Sequence, residues 1–229
     1  MHFKVPLGDS SDSSSRPPFS SANAASFLLG RAAVRILLQS SVPSSVPSTW
    51  PILKDSHGRP SLPPSFSGSV SISHKGSTAA ALLSPPSSSP GKPGLTVTVG
   101  VDVERTTSRR SNLATKVLTP HERSDLCQSG LNLTPNQETL LRFSLKESLY
   151  KSLHPHLNSY IGFQEVECIP NVDGTATAAL MLTGKGREKW REMEGRTKVR
   201  MTWRRMVAGR EEVFLTTSEV EVREEEGGE

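Results

Sequence analysis

Two segments rich in serine, proline and glycine limit how much of this chain can form a core. They are residues 1–22 and residues 84–94. Segments of this composition bury too little apolar surface to offset the entropy that ordering costs, so we predict that both are disordered. What remains of the 229 residues is roughly one unit of 180 residues, a size typical of a single domain or of a duplicated pair of halves.

The hydrophobic pattern predicts a helix followed by strands. Residues 24–39, AASFLLGRAAVRILLQ, repeat apolar side chains at helical spacing and are predicted to form an amphipathic helix. Residues 69–75 and 78–83 are predicted to be paired strands around Gly76. Residues 95–104, LTVTVGVDVE, are the clearest strand because β-branched residues dominate them.

Two capping boxes mark helix starts in the second half. TPHE at 119–122 and TPNQ at 134–137 each place Thr at the N-cap, Pro at the first helical position and Glu or Gln at the third. The second box begins a long helix that we predict to reach about His154. Four later segments are predicted to be antiparallel strands: EVECI, TATAALML, KVRMTWRRMV and EVFLTTSEVEV. The predicted fold class is α+β, a pseudo-twofold pair of similar halves, each with a long helix packed on an antiparallel sheet.

The predicted domain boundaries lie where composition changes. Residues 23–104 form the N-terminal α+β half, which includes the 84–94 loop, and residues 105–222 form the C-terminal half. Residues 1–22 are a tail, and residues 223–229 are an acidic tail. Because acidic residues cluster at this end, the folded middle is more basic than the net charge of +4 suggests.

Composition argues against several classes of protein. Two cysteines, Cys127 and Cys168, make neither a disulfide framework nor a zinc site. No apolar run reaches the length of a transmembrane helix, so we predict no membrane contact. The pI near 9.2 favours an anionic ligand, but aromatic residues are only 5% and no RNA-binding spacing occurs, which argues against nucleic acid. We predict a cytoplasmic protein, although the serine-rich start faintly resembles an organelle transit peptide, against which Asp9 and Asp12 count.

Four charged side chains are predicted to meet between the clearest strand and the long helix. Asp102 and Glu104 are two residues apart on a strand, so they project from the same side. Glu147 and Lys151 are four residues apart on a helix and share a face. If the helix packs on the strand, three carboxylates converge beside a lysine. Such an oxygen-only donor set suits Mg²⁺, which keeps waters and takes phosphate oxygens.

Each of these pairs also has a simpler interpretation. Asp102 and Glu104 would be solvated if the strand ended at the surface, and Glu147 and Lys151 would then be an ordinary surface ion pair. Three further polar residues have equally simple interpretations. His74 would be a strand histidine with its hydrogen bonds made, and Arg31 and Arg35 would form the polar face of an amphipathic helix.

Four short motifs follow one another along the chain. They are the GRP loop that contains Arg59, the strand SISHK, the strand VGVDVE and the helix FSLKESLYK. Their wording and order resemble the 4′-phosphopantetheinyl transferase superfamily, whose pattern is a G-x-P loop, an S-x-S-H strand, a G-(I/V)-D-(I/V)-E strand and a (W/F)-S-x-K-E-(S/A)-x-x-K helix. FLLGRAAVRILL is also similar to the family's first long helix. The chain looks most like the monomeric enzymes that activate the carrier proteins of enterobactin and surfactin synthetases.

The resemblance implies a reaction and its catalytic residues. It implies a monomer that binds coenzyme A between two halves and transfers 4′-phosphopantetheine to a serine hydroxyl of an apo carrier protein, an acyl or peptidyl carrier domain, with release of adenosine 3′,5′-bisphosphate. Asp102, Glu104 and Glu147 match the family's Mg²⁺-binding acids. Glu147 also matches the acid proposed to act as the base on the serine, and Lys151 matches the lysine that neutralises the leaving phosphate.

The resemblance also implies contacts to coenzyme A. His74 matches a pyrophosphate contact, and Arg59 falls where the family has a basic residue near the 3′-phosphate. Arg31 in the first helix and Lys146 in the KESLYK motif are the further predicted contacts. Two alternatives remain open: a degenerate member that binds coenzyme A or a carrier protein without turnover, and a basic nucleic-acid-binding module supported only by the pI.

Overall fold

A computed structural model gives the fold of most of the predicted globular unit. It describes residues 21–41, 50–55, 57–62, 66, 68–84, 94–108 and 111–224. The predicted disordered segments lie outside these ranges except at their ends, so their disorder stays a prediction. Within the described ranges, no helix is both long enough and apolar enough to cross a membrane.

Helix α1 and a β-hairpin form one layer of the protein. Helix α1 (Ser21–Ser41) packs on strands β1 (Val70–Lys75) and β2 (Thr78–Leu83), which form an antiparallel pair. The hairpin turns at Gly76, whose φ of +58° suits a residue without a Cβ atom. Apolar side chains from the helix and the loop after it form a small core against the hairpin: Val34, Leu38, Ile52 and Phe66.

A five-stranded antiparallel sheet forms the second layer, with the strand order β3–β7–β6–β5–β4. The strands are β3 (Leu95–Arg105), β4 (Val166–Pro170), β5 (Thr175–Leu180), β6 (Thr197–Ala208) and β7 (Glu211–Arg223). Strand β3 pairs with β7 along its whole length, so the strand that carries VGVDVE joins the later strands in one sheet. The α+β fold class and its antiparallel strands are confirmed.

Serine hydroxyls attach the hairpin to the edge of β3. Ser69, Ser71 and Ser73 are two residues apart, so their side chains face the same way. Their Oγ atoms accept hydrogen bonds from backbone N–H groups of β3, namely Val99 at 3.3 Å, Val101 at 3.0 Å and Val103 at 3.1 Å. The spacing of SVSIS therefore sets which residues of β1 lie opposite Asp102 and Glu104.

Helix α4 (Pro135–Leu157) packs across β3 and β7. It begins at the predicted capping box, in which Thr134 Oγ1 accepts a hydrogen bond from Gln137 N and Gln137 Oε1 accepts one from Thr134 N. The helix continues slightly beyond His154, its predicted end. Pro155 does not stop it, because a proline in the last turn removes only a single helical hydrogen bond. Leucines of α4 pack against apolar side chains of the sheet and form the main core. The helix contributes Leu141, Leu145, Leu149 and Leu153, and β7 contributes Phe214 and Val220.

Three shorter helices flank α4. They are α2 (Leu113–Val117), α3 (Pro120–Ser124), which uses the other predicted capping box, and α5 (Gly184–Met193). The hydrophobic pattern did not predict α5, since only Gly186 and Met193 of this helix are buried.

The backbone of α4 comes very close to β3 at Gly100. A Cβ atom there would lie 1.8 Å from the carbonyl oxygen of Ser148, so only glycine fits without movement. Small hydroxyl side chains line the rest of this contact. Ser144 Oγ lies 2.9 Å from Thr216 Oγ1, and Ser152 Oγ lies 2.6 Å from Ser218 Oγ. This contact fixes the position of α4 on β3 and, with it, the side chains that α4 carries.

Candidate active site

Asp102 and Lys151 form an ion pair between β3 and α4. Lys151 Nζ lies 2.8 Å from Asp102 Oδ1 and donates a second hydrogen bond, of 2.9 Å, to Val101 O. The hydroxyl of Ser73 donates to Oδ1 of Asp102 at 2.8 Å, and that of Ser144 donates to Oδ2 at 2.9 Å. Asp102 is 6% exposed. Its carboxylate is therefore held at the point where β1, β3 and α4 meet.

Glu104 pairs with Lys75, a residue that sequence reasoning did not single out. Lys75 Nζ lies 2.8 Å from Glu104 Oε2 and 3.1 Å from Oε1. Glu104 is 5% exposed, whereas the Lys75 side chain is 28% exposed. The SISHK motif contains Lys75, but only the register that the serines set between β1 and β3 shows that it lies opposite Glu104.

Glu147 is the third buried carboxylate, at 7% exposure. No hydrogen bond or ion pair reaches this carboxylate from within the part of the chain that the structure describes. Burial and the negative charge of Asp102 raise the pKa of Glu147 to about 7, although Lys151 opposes the shift. We call the five residues the Glu147 cluster: Asp102, Glu104, Glu147, Lys75 and Lys151. With every group ionised, three carboxylates face two ammonium groups.

The donor set of the Glu147 cluster suits a hard divalent cation. It offers only carboxylate oxygens, which Mg²⁺ prefers, and the Glu147 carboxylate has no partner among the described residues. Those residues nevertheless contain no group of three His, Cys, Asp or Glu side chains arranged as a ready-made metal site. In this structure two lysines hold oxygens of Asp102 and Glu104.

Lys146 lies outside the Glu147 cluster, although it was predicted to contact coenzyme A. Its side chain is buried, and Nζ donates to Glu122 Oε2 at 2.5 Å, to Val117 O at 2.8 Å and to Phe163 O at 2.9 Å. An ammonium group has three protons, and all three are used inside the protein. In this structure Lys146 joins α4 to α3 and to the segment before β4, and no proton is left for a ligand.

Arg31 and Arg35 hold the segment that follows α1. Arg31 Nε donates to Ile52 O at 3.2 Å, and its guanidinium carbon lies 3.9 Å from the centre of the Phe27 ring. Burial lowers the pKa of Arg31. Arg35 donates to Trp50 O at 3.1 Å. Both arginines therefore have structural contacts, and the contact of Arg31 with coenzyme A stays a prediction.

Arg59 lies in a tight turn that closes around Asp55. Oδ1 of Asp55 accepts hydrogen bonds from the backbone N–H groups of His57, at 2.9 Å, and Arg59, at 2.8 Å, and Oδ2 accepts one from Arg59 Nε at 2.7 Å. The two outer nitrogens of Arg59 have no partner among the described residues, and the side chain is 37% exposed. The turn thus fixes the guanidinium and leaves its outer edge open to a ligand.

Two histidines join this turn to α4. The ring centres of His57 and His154 are 5.4 Å apart, and those of His154 and Tyr150 are 5.3 Å apart. His154 is 8% exposed, and its buried Nδ1 has no hydrogen-bond partner among the residues that the structure describes. Glu147, Lys151 and His154 are three or four residues apart along α4, so they share one side of the helix. Sequence reasoning missed His154, because one histidine near a predicted helix end carries no signal of its own.

Two further features border the Glu147 cluster. His74 is exposed on β1, and Gly30 of α1 lies beside its ring. A small opening lies between α4 and residues 161–166, and Glu147 and Lys146 form part of its wall. The rest of the wall is mainly apolar: Leu149, Tyr150, Leu153, Ile161, Phe163 and Val166.

The match to a family model agrees with the resemblance in the motifs. Residues 98–203 match a family model described as the 4′-phosphopantetheinyl transferase superfamily. The chain is similar to the apo-ACPS structure of Chronobacterium ammoiniagenes, with 16% identity, a TM-score of 0.43 and coverage of 57% of this chain and 99% of that chain. It is also similar to the ACPS-CoA complex of Chronobacterium ammoniagenes, with 21% identity, a TM-score of 0.37 and coverage of 56% of this chain and 96% of that chain.

TM-scores this low support no conclusion about the site. Among curated proteins, none matches the chain. The family match carries more weight, because residues 98–203 contain Asp102 and Glu104 on β3 and Glu147 and Lys151 on α4. The general activity that this match supports is phosphopantetheinyl transfer. Residues 98–203, a little under half of the chain, are similar to the 4′-phosphopantetheinyl transferase superfamily.

Proposed function

We propose that the protein transfers the 4′-phosphopantetheine group of coenzyme A to a serine hydroxyl of an apo carrier protein, with Mg²⁺ bound by its carboxylates. The observation that carries this proposal is the meeting of three buried carboxylates with two lysines inside the segment that matches the family. The products would be the holo carrier protein and adenosine 3′,5′-bisphosphate. We also propose that the protein is a monomer and acts in the cytoplasm.

The proposed reaction moves one phosphoryl centre and one proton. The serine oxygen forms a bond to the phosphorus of the phosphopantetheine group, and the pyrophosphate bond to the nucleotide breaks. The serine proton passes to the carboxylate of Glu147, directly or through a water. The departing 5′-phosphate carries the bonding electrons away, so positive charge near it lowers the barrier.

Glu147 is well suited to accept the serine proton. In the metal-free protein, burial and Asp102 raise its pKa to about 7, and a general base is most effective when its pKa lies near the working pH. Bound Mg²⁺ would lower this pKa, because a cation favours the ionised carboxylate. The carboxylate also lacks a partner among the described residues, so its oxygens are not committed to other donors. Asp102, Glu104 and Glu147 are the residues that would hold Mg²⁺, which supplies positive charge to the pyrophosphate when it is bound.

Lys151 is suited to neutralise the leaving phosphate. Its side chain is 22% exposed, and two of its ammonium protons are held by Asp102 and Val101 O. The third proton remains for a phosphate oxygen. Lys75 holds a similar position on the other carboxylate and adds a second ammonium group to the same site.

A transfer assay tests the proposal. The protein would be incubated with coenzyme A, Mg²⁺ and a panel of apo carrier proteins from fatty acid, polyketide, peptide and lysine biosynthesis, and each carrier would be weighed by intact-protein mass spectrometry. We expect at least one carrier to gain the mass of phosphopantetheine, and a carrier whose acceptor serine is replaced by alanine to gain none. Binding of coenzyme A without any mass gain would favour the non-catalytic alternative.

A further inference from the structure

Lys75 is a charged residue to which the sequence motifs assign no role, and the structure places it inside the Glu147 cluster. It ends a row of side chains at every second position, after Ser69, Ser71 and Ser73, that face the edge of β3. The serines bind backbone N–H groups, whereas the ammonium group of Lys75 lies 2.8 Å from Glu104 Oε2 and 3.1 Å from Oε1. The row therefore ends in a cation that faces a buried carboxylate.

The backbone around Lys75 is fixed from both sides. Ser73, two residues earlier, is hydrogen-bonded to β3, and Gly76, the next residue, turns the hairpin with a φ of +58°. The guanidinium of Arg105 packs so closely on Gly76 that a Cβ atom there would lie 1.6 Å from Nη2. Arg105 forms an ion pair with Glu211, at 2.8 Å from Nε to Oε2. Lys75 therefore reaches its carboxylate from a fixed Cα position, although its side chain is 28% exposed and has room to turn into solvent.

The two ion pairs of the Glu147 cluster differ in what else holds the carboxylate. Asp102 also accepts hydrogen bonds from the hydroxyls of Ser73 and Ser144, one on each oxygen, and these remain if Lys151 turns away. On Glu104, a single ammonium group spans both oxygens. Glu104 is 5% exposed, and a buried charge needs opposite charge close to it. The cation on Glu104 therefore matters more to its carboxylate than the cation on Asp102 does.

We propose that Lys75 is a built-in counter-ion of Glu104 that competes with a divalent cation, and that this competition sets how tightly the site binds Mg²⁺. That a divalent cation binds these carboxylates at all rests on the proposed function. In the arrangement that the structure shows, Lys75 covers both oxygens through which Glu104 would bind a metal ion. Two cations repel each other, so the ammonium group either turns away or weakens the binding of the ion. The site therefore binds Mg²⁺ more weakly than the same three carboxylates would without Lys75.

The first test measures Mg²⁺ binding to the full chain by calorimetry, without coenzyme A or a carrier protein. Lys75→Met removes the charge, Lys75→Arg keeps it, and Lys189→Met removes an exposed charge on α5 as the matched control for net charge. We expect Lys75→Met to bind Mg²⁺ roughly tenfold more tightly than the wild type, and the other two variants to stay within about twofold of it. Equal or weaker binding of Mg²⁺ by Lys75→Met would overturn the proposal.

The second test follows the wild-type protein, so it does not depend on whether Lys75→Met folds. Proton–nitrogen NMR of the side-chain ammonium groups would be recorded as Mg²⁺ is added, with Lys75 assigned from the spectrum of Lys75→Arg. We expect the Lys75 signal to shift or to disappear, because a released ammonium group exchanges its protons with water. Lys146, whose three protons all have acceptors inside the protein, is the internal control and should not change. A Lys75 signal that is unchanged at saturating Mg²⁺ would overturn the proposal.

The two proposals can fail separately. If Lys75→Met binds Mg²⁺ more tightly than the wild type but no carrier protein is modified, the transferase proposal is wrong and the role of Lys75 remains. If the wild type modifies a carrier protein and binds Mg²⁺ as tightly as Lys75→Met does, the transferase proposal remains and Lys75 is not a competing counter-ion. If neither form binds Mg²⁺, the proposal for Lys75 is wrong.

Discussion

Helix α4 carries two buried groups of charged residues on different sides, and they differ in how completely their charges are paired. One is the Lys146 cluster, which consists of Lys146, Glu122, Arg142 and Glu138. Lys146 has three acceptors, and Glu122 also accepts backbone hydrogen bonds. Arg142, 1% exposed, donates to Glu138, to Asp125 and to a backbone carbonyl. The other is the Glu147 cluster, in which Glu147 lacks a partner among the described residues.

From this contrast we propose that the charges of the Lys146 cluster are structural and those of the Glu147 cluster are functional. Burying a charge costs several kcal/mol unless opposite charge and hydrogen bonds compensate it. The Lys146 cluster achieves this compensation and so stabilises the arrangement of α3, α4 and β4. In the Glu147 cluster, the Glu147 carboxylate has no such partner among the described residues. We propose that a bound cation and a charged substrate compensate this carboxylate.

The largest expected effect comes from removing one charge of the Lys146 cluster. Lys146→Met leaves the fully buried carboxylate of Glu122 without its cation, and we expect a loss of about 3–5 kcal/mol in the free energy of unfolding. Lys151→Met, on the same helix, is the matched comparison: it removes the cation of Asp102, but that carboxylate keeps hydrogen bonds from Ser73 and Ser144, so we expect a smaller loss of about 1–2 kcal/mol. Urea unfolding measures both. If the two variants lose equal stability, the two lysines do not have the different roles that the comparison assigns.

The next effect concerns the Glu147 cluster and is measured as transfer activity. Asp102→Ala removes a predicted metal ligand and the partner of Lys151, so we expect single-turnover transfer to fall by roughly 10³-fold, as when electrostatic stabilisation of a transition state is lost. EDTA should stop the wild-type protein, and Mg²⁺ should restore it. Asp173→Ala, in an exposed turn, is the control and should transfer normally. Full activity in EDTA would rule out the metal.

A smaller effect tests the contact that positions both clusters on the sheet. Gly100→Ala places a Cβ atom against Ser148 O, so α4 must move away from β3. We expect a loss of about 1–3 kcal/mol in stability, as for overpacking in a core, together with slower transfer. Gly195→Ala meets no atom within 4 Å and should change neither quantity. A fully active and stable Gly100→Ala would show that the spacing between α4 and β3 is not critical.

Arg59 extends the comparison to the edge of the site. Asp55 fixes one side of its guanidinium, while the outer nitrogens have no partner among the described residues. Arg59→Ala should therefore raise the KM for coenzyme A by about tenfold, the effect of one hydrogen bond to a charged group, and leave the KM for dephospho-coenzyme A nearly unchanged. Arg187→Ala on the exposed face of α5 is the control. Equal changes for both substrates would mean that Arg59 does not contact the 3′-phosphate.

The elements that carry the site were predictable from local signals. Capping boxes gave the starts of α3 and α4, and the β-branched run in 95–104 gave β3. Strand and helix periodicities then placed Asp102 with Glu104 and Glu147 with Lys151, and the structure brings these side chains together. These predictions depend only on residues near one another in the sequence.

Contacts between distant elements were not predictable in the same way. Lys75 lies opposite Glu104 only because three serine hydroxyls set the register between β1 and β3. Lys146 and Lys151 both belong to the KESLYK motif, yet one is fully paired inside the protein and the other faces the site. Helix α5 was missed because few of its side chains are buried, so its sequence has little hydrophobic periodicity.

A direct test of the account compares Glu147→Gln with Glu122→Gln, one from each cluster. Both changes remove one negative charge and keep the shape of the side chain. The pKa of Glu147 is raised from 4.5 to about 7. Above pH 7 the carboxylate is ionised in the folded protein, and this buried charge lowers the free energy of unfolding. In metal-free buffer near pH 8, Glu147→Gln should therefore be as stable as the wild type or more stable, by up to about 3 kcal/mol. This advantage should disappear as the pH falls from about 7 to about 4.5.

The measurement is the free energy of unfolding in urea at several pH values, beside single-turnover transfer to a carrier protein with coenzyme A and Mg²⁺. We predict that Glu147→Gln keeps its stability and loses transfer by roughly 10²-fold or more. Glu122→Gln should lose about 3 kcal/mol of stability, and whatever fraction remains folded should still transfer. A Glu147→Gln variant that is destabilised as much as Glu122→Gln, or that transfers at the wild-type rate, would contradict the assignment of the Glu147 cluster as the active site.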